Sequence, residues 1–395
     1  MIAHSNPSIK KQVYDRIAYH GAITKAELLN DFSITSSSMT RLLDEMTSQG
    51  LIMISGLGNS TGGRKPILFQ TNPKYRYLIG IEISRIYSTL GLYDMHLNPL
   101  SIIHWKMDAS MTPELLVKHI TKTVHELMEN HHITSKEVLG IGIGAVGPLD
   151  HKQGIIVDPE LFPAPSWQNV PICQMITEQL HIPARLDNGA NTALIGEHWA
   201  LRTKNIQHAL YIHVGANIRS AVMSSGQVLR GVVDTEGAIG QMIIQTNGPR
   251  LGDTGNYGAL EAFVSVASLV ERVRTQLKIG RSSVISDIPP DLITFATLIK
   301  ALAQGDPLVQ EQFTETAAYL GIGIANLINT IHPEYVILGG PLISAHPLVF
   351  DTAIEVAKKN TYRYPKYSPI FTQGILTNEA VATGAAILIL HDWEI

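Results

Sequence analysis

The chain has 395 residues, 45 % hydrophobic and 16 % charged, with 32 Gly and 20 Pro, enough for two or three domains with real cores. Its single cysteine, Cys173, rules out an internal disulfide framework and a Cys-rich zinc site. The first residues are polar and no apolar run approaches the ~18 residues of a membrane span, so a soluble, cytoplasmic setting without membrane insertion is expected.

The net charge of −4 is unevenly spread: residues 1–76 hold nine Lys/Arg against five Asp/Glu, a net +4, which leaves −8 on the remainder. A small basic head on an acidic body is the asymmetry of a DNA reader joined to something else. In chain order, Ser8 to His20 reads as a first helix with Val13, Ile17 and Ala18 inward and Gly21 as its stop. Thr24 caps a short second helix, KAELLNDF, with Leu28, Leu29 and Phe32 inward. A tight connection leads to a third helix, Thr35 to Gln49. There Met39, Leu42, Leu43 and Met46 recur at helical spacing, Thr35 is the N-cap, and Gly50 is the C-cap glycine.

The opposite face of that helix offers Ser36, Ser37, Ser38, Thr40 and Arg41. Hydroxyls and helix-end N–H groups hold phosphates, and Arg reads guanine bidentately. Taken alone the segment is also compatible with an ordinary amphipathic surface helix; following two short helices and a turn, it reads as the recognition helix of a helix-turn-helix. Two β-rich pieces, LIMISG and PILFQTN, then flank the loop GLGNSTGGRKP. This is a wing whose basic tip, Arg64 and Lys65, is placed to touch a DNA backbone or minor groove. Residues 1–71 are therefore expected to form a winged helix-turn-helix domain, with 72–77 as linker.

Residues 78–93 read as strand, turn, strand, and 209–225 repeat that layout. The repetition suggests a duplicated α/β body over 78–395, two sheet-containing lobes around a cleft: the first about 78–190 plus the C-terminal helix, the second about 191–380. Between and after them come a helix at Thr112–Asn130 and a strand over Val138–Asp150. Helices follow around Leu260–Leu277, Phe295–Ala303 and Ala317–Ile331, then a strand at Tyr335–Gly340 and a small-residue helix at Val381–Leu390.

The strings GIGIGAVGPLD, DNGAN, GAIGQM, GNYGALE, HPEYVILGG and ATGAA, in this order and spacing, resemble the ROK family of sugar kinases and sugar-responsive repressors. The resemblance implies an actin/hexokinase-like (ribonuclease H-like) body. The head, including GGRKP, resembles the repressor branch.

Set against that family, the kinase chemistry is depleted. Glu82-Ile83-Ser84-Arg85-Ile86 stands where kinases have Asp-Gly-Gly-Thr, and Gly215-Ala216-Asn217-Ile218-Arg219 replaces the second phosphate loop. The Asn-Asp pair whose Asp is the general base is Asn188-Gly189, and glycine accepts no proton. Asp187 lies one residue too early. The positions of the family's structural zinc ligands resemble Gln241, Gly252, Thr254 and Ala259, none of which ligates zinc as imidazole or thiolate does. No catalytic residue, metal or cofactor is therefore expected. For a sugar ligand, Asn188 and Glu261 match the family's contacts, Ala238, Gln241 and Gly189 replace others, and the backbone at Gly147-Pro148 could line the cleft. The expected activity is a transcriptional repressor of carbohydrate-metabolism genes that binds operator DNA as a homodimer or higher oligomer. A sugar or sugar-derived effector in the inter-lobe cleft would modulate it. The rivals are a ROK sugar kinase and a regulator controlled by a protein partner.

Overall fold

The computed structural model describes residues 7–59, 65–159, 161–234 and 237–395. In the head, Ser8 Oγ accepts the N–H of Lys11 and starts α1 (Ile9–His20), which Gly21 ends at φ 90°. A two-residue strand, β1 (Ile23–Thr24), leads straight into α2 (Lys25–Asp31), where Thr24 and Glu27 form a reciprocal capping box. Thr35 caps α3 (Ser36–Ser48), and Gly50 follows at φ 74°. β2 (Ile52–Leu57) and β3 (Ile67–Thr71) pair antiparallel, and β1 pairs with β3 to complete a three-stranded sheet that the sequence pattern had given as a hairpin. Val13, Ile17, Ala18, Leu28, Met39, Leu43 and Met46 are buried as expected; Leu29, Phe32 and Leu42 are only half-buried.

The first sheet of the body contains β4 (Tyr77–Ile83), β5 (Tyr87–Tyr93) and β6 (Pro99–Lys106), an antiparallel meander. After α4 (Pro113–Asn130), β7 (Val138–Ala145) lies parallel to β4. A small ribbon, β8 (Leu149–Asp150) with β9 (Ile155–Ile156), and α5 (Ile172–Leu180) precede β10 (Ala184–Asn188), which is parallel to β7 and runs directly into α6 (Gly189–Ala200). The strand order is β10-β7-β4-β5-β6.

The second sheet repeats it. β11 (Ala209–Val214), β12 (Ile218–Ser224) and β13 (Gln227–Val228) form the meander. Then α7 (Leu260–Val264), α8 (Val266–Lys278), α9 (Phe295–Ala303) and α10 (Pro307–Ile331) precede β14 (Tyr335–Gly339), parallel to β11. α11 (Pro341–Ala345) and α12 (Pro347–Lys359) lead to β15 (Ile370–Thr372), parallel to β14. Its order, β13-β12-β11-β14-β15, has the same 3-2-1-4-5 connectivity as the first. The duplication expected from the sequence is thus a duplication of topology.

Two helices differ from expectation. The segment Leu260–Leu277 is broken at Ser265, whose hydroxyl accepts the N–H of Ser268 and starts a new helix. The helix expected from Ala317 begins at Pro307, because Asp306 Oδ1 accepts the Val309 N–H. Arg272 of α8 is half-buried against α10, donating to Phe263 O at 2.8 Å, to Gln312 Oε1 at 3.4 Å and to Thr316 Oγ1.

The chain ends with α13 (Ala380–Asp392), which packs on β4, β7 and α6. The structure divides into one unit of 1–205 with 379–395 and another of 206–378. α6 therefore stays with the first unit, and the division falls after Asn205, beyond the 190/191 division taken from the repeat. The reason is packing: α6 and α13 lie face to face on small residues. A Cβ at Gly384 would collide with Thr192 O, and one at Gly142 of β7 with Ala385 O. Gly142→Ala is expected to lower the stability of this unit by about 1–3 kcal/mol, the usual cost of overpacking. Gly237→Ala, with open space around it, should stay within about 0.5 kcal/mol. Denaturant unfolding of both variants checks this, and equal stabilities would contradict it.

Candidate functional site

Burial of Met39, Leu43 and Met46 under α3 turns Ser36, Ser37, Ser38, Thr40 and Arg41 outward, all of them exposed. Thr35 Oγ1 accepts the Ser38 N–H at 3.2 Å, donates to Ser38 Oγ at 2.9 Å and lies 3.0 Å from Ser37 Oγ. The leading turn of α3 is thus a set of hydroxyls fixed by one cap. Thr40 Oγ1 donates to Ser36 O at 3.0 Å and accepts Lys25 Nζ at 2.6 Å.

Lys25 is a residue the sequence reading missed. It opens α2, where a cation opposes the helix dipole. That unfavourable placement is the local signal that its charge serves something beyond the helix. The structure brings Lys25 against the same face as Arg41. Lys65 is exposed where the chain re-enters β3, and its neighbour Pro66 closes the wing by accepting the Gly58 N–H at 2.8 Å. Arg64 lies outside the described residues.

In the first unit, Gly147-Pro148 and Asn188-Gly189 meet at the C-terminal ends of two adjacent parallel strands, with Ala145 of β7 paired to Asn188 of β10. Ligands in such sheets gather at this edge. Pro148 is exposed, Gly147 and Gly189 are half-buried, and Asn188 is buried. Asn188 Oδ1 caps α6 by accepting the Asn191 N–H at 2.8 Å. Asp187 is buried, and its Oδ1 accepts the Asn188 N–H at 2.8 Å and Asn191 Nδ2 at 2.9 Å, with His151 Nδ1 at 3.6 Å. These bonds tie one oxygen of its carboxylate to the start of α6.

In the second unit, Glu261 accepts Asn217 Nδ2 at 2.9 Å on one oxygen and the Ile218 N–H at 2.9 Å on the other. The turn carrying Ala238 and Gln241 abuts it: a Cβ on Gly240 would stand 2.8 Å from Glu261 Oε2. Asn217, at a glycine position of the kinase loop, is a second residue the sequence reading passed over. Gln241 is exposed and closes its own loop, with Oε1 accepting the Asn256 N–H and its carbonyl accepting Asn256 Nδ2, both at 2.9 Å. Arg250 stacks over Tyr257 at 5.4 Å in the same loop. Amide pairing and stacking thus brace the segment where family members carry zinc ligands.

Comparison with known proteins extends this picture. The model described as "ROK family" matches residues 78–392. The xylose repressor of Caldicellulosiruptor bescii is 26 % identical over 371 residues, covering 94 % of this chain and 92 % of its own. A crystal structure of a ROK family transcriptional regulator, described as a homolog of the E. coli MLC protein, superposes with a TM-score of 0.79 at 21 % identity, covering 97 % and 95 % of the two chains. The ROK hexokinase of Thermus thermophilus superposes with a TM-score of 0.65 at 24 % identity; it covers 80 % of this chain and 100 % of its own.

Replacing Asp187 tests its place in the fold. Asp187→Ala leaves the Asn188 N–H and Asn191 Nδ2 without their acceptor and should cost about 1–3 kcal/mol of stability. Asp187→Asn keeps an oxygen there and should cost less. Thermal unfolding measures both, and an unchanged transition for Asp187→Ala would show the bonds to be dispensable.

Proposed function

The chain belongs to the ROK family, and from that membership we propose that it is a DNA-binding transcriptional regulator, a repressor of carbohydrate-metabolism genes. The observation that carries this reading is the outward face of α3, where Ser36, Ser37, Ser38, Thr40 and Arg41 stand together with Lys25 beside them. Such a face gives phosphate contacts at its leading end and one guanine-reading fork behind them. Lys65, with Arg64 before it in the sequence, adds the charge of the wing.

The operator follows from symmetry. A homodimer presenting two such helices about 34–36 Å apart binds two half-sites one helical turn apart, arranged as an inverted repeat. The effector is a sugar or sugar derivative recognised through Gly147, Pro148, Asn188, Gly189, Gln241 and Glu261. It acts by binding one arrangement of the body better than another. The relative named as a xylose repressor supports this class of ligand. Among the described residues no helix is long and apolar enough to cross a membrane, in keeping with a cytoplasmic protein.

A sugar kinase is the second reading, favoured by the likeness of the body's fold to the hexokinase. Against it stand Gly189 at the base position and an Asp187 committed to α6. ADP release in the presence of ATP and a sugar panel separates the two: the regulator shows none, and turnover abolished by Asp187→Ala would establish the kinase.

Salt-dependent titration of labelled operator tests the head. Arg41→Ala should cost about 1–3 kcal/mol of affinity and flatten the preference between operator and random duplex. Lys65→Ala and Lys25→Ala should weaken every duplex equally and reduce the slope of log affinity against log salt by about 1. Unchanged binding in all three would remove the head from DNA recognition.

A further inference from the structure

We propose that Trp393, at the far end of the chain, is a positioning residue that locks the DNA-reading head to the first sheet of the body. This rests on the head being the DNA reader, but the lock is a mechanical claim testable without DNA. α13 is pressed along β4, β7 and α6, and the residue immediately after it, Trp393, reaches the head. Its indole meets Tyr14 of α1 edge-on, centroids 5.3 Å apart and planes at 89°, and leans on Tyr75 at 5.8 Å. Edge-to-face and offset arrangements of this kind are the favourable ones for aromatic pairs.

Tyr14 is fully buried, and its hydroxyl finds no hydrogen-bond partner. Burying a hydroxyl without a partner is unfavourable, so the ring's place is set by packing and not by its polar end. Tyr75, between head and body, also carries the Arg76 guanidinium over its ring at 5.1 Å. Its N–H donates to Asn72 O, and Asn72 in turn donates to Leu51 O at 3.0 Å and through Nδ2 to Gly50 O at 2.9 Å. Gly50 and Leu51 directly follow α3. The path from Trp393 to the end of the recognition helix is therefore one side chain, Tyr75, and one hydrogen-bonded residue, Asn72.

Other ties lie beside it. Met95 N–H donates to Pro73 O, His96 Nε2 lies 2.7 Å from Thr71 O, and Tyr19 sits 6.4 Å from His198. These keep the head attached when the indole is removed: two of them hold Thr71 and Pro73 on either side of Asn72, and the other holds the end of α1. The other end of α13 matters as much. The chain passes from the second unit at Asn378 into Glu379 and α13, so the helix that carries Trp393 begins where the two units join in the chain.

The test uses the full chain carrying Trp393→Ala, Trp393→Phe or Tyr14→Phe. Limited proteolysis in residues 72–77 reads the opened state. Trp393→Ala should be cut about tenfold faster than the parent, the loss expected for two aromatic contacts, with the circular-dichroism spectrum unchanged. Trp393→Phe should restore most of the protection, and Tyr14→Phe, which keeps the ring and drops only the unpartnered hydroxyl, should retain all of it. The second readout is a duplex that the parent chain selects from a random pool, together with copies whose half-sites are moved apart by one and two base pairs. Trp393→Ala should lose the parent's preference for the selected spacing while binding a single half-site as the parent does. Parent-like protection and spacing preference in Trp393→Ala would overturn the lock. Selection of no duplex by the parent would overturn the DNA-reading function instead, with the proteolysis still deciding the lock.

Discussion

The close contact of α13 with the sheet beneath it is the constraint on which the first unit depends. α13 is apolar nearly all round, with Ala382, Ala385 and Ala386 fully buried, and it lies against strands that would reject it if they carried side chains at Gly80 and Gly142. Removing those Cβ atoms lets backbone approach backbone, and Thr383 then reaches Tyr93 Oη at 3.2 Å. Close packing of this kind transmits displacement because neither surface can yield. It also fixes α6 and hence the Asn188 cap at its start. One contact thus sets both the geometry at the strand ends of the first unit and the height at which Trp393 emerges.

Around the candidate ligand groups, several polar side chains are already bonded within the chain. Asp187 holds the first turn of α6, Glu261 holds the start of β12 through Ile218 and Asn217, and Gln241 holds Asn256. A carboxylate that accepts one bond on each oxygen retains lone pairs for a ligand but has lost the freedom to swing. Groups fixed in this way are pre-organised to recognise hydroxyls. The same bonds explain how the loops that elsewhere cradle phosphate or zinc keep their shape with amides and a stacked Arg250–Tyr257 pair.

Local chemistry was legible in the sequence, and long-range chemistry was not. Thr24 and Thr35 cap the helices they were expected to cap, because a cap is decided within four residues. The glycines after α1 and α3 end them at positive φ for the same reason. The two-residue β1 has no periodicity of its own and exists only because β3 offers it a partner. The early start of α10 was hidden by Pro307, which reads as a breaker yet suits a first helical position. Of the site residues, the exposed hydroxyls and Arg41 followed from the period of α3. Lys25 and Asn217 did not, since their partners Thr40 and Glu261 lie 15 and 44 residues away. Tyr14 looked like one more residue of an amphipathic helix; its neighbour is at the other end of the chain.

That last pairing bears on how a small head joins a large body. A domain of this size buries little surface by itself, and its orientation would be loose if only the backbone of residues 72–77 held it. The structure instead sets a ring from residue 393 against a ring in α1, so part of the head's packing is supplied by the helix that also spans the first sheet. A head fixed in this way inherits the geometry of that sheet. A change in where α13 sits would then reach the head without any large movement within it.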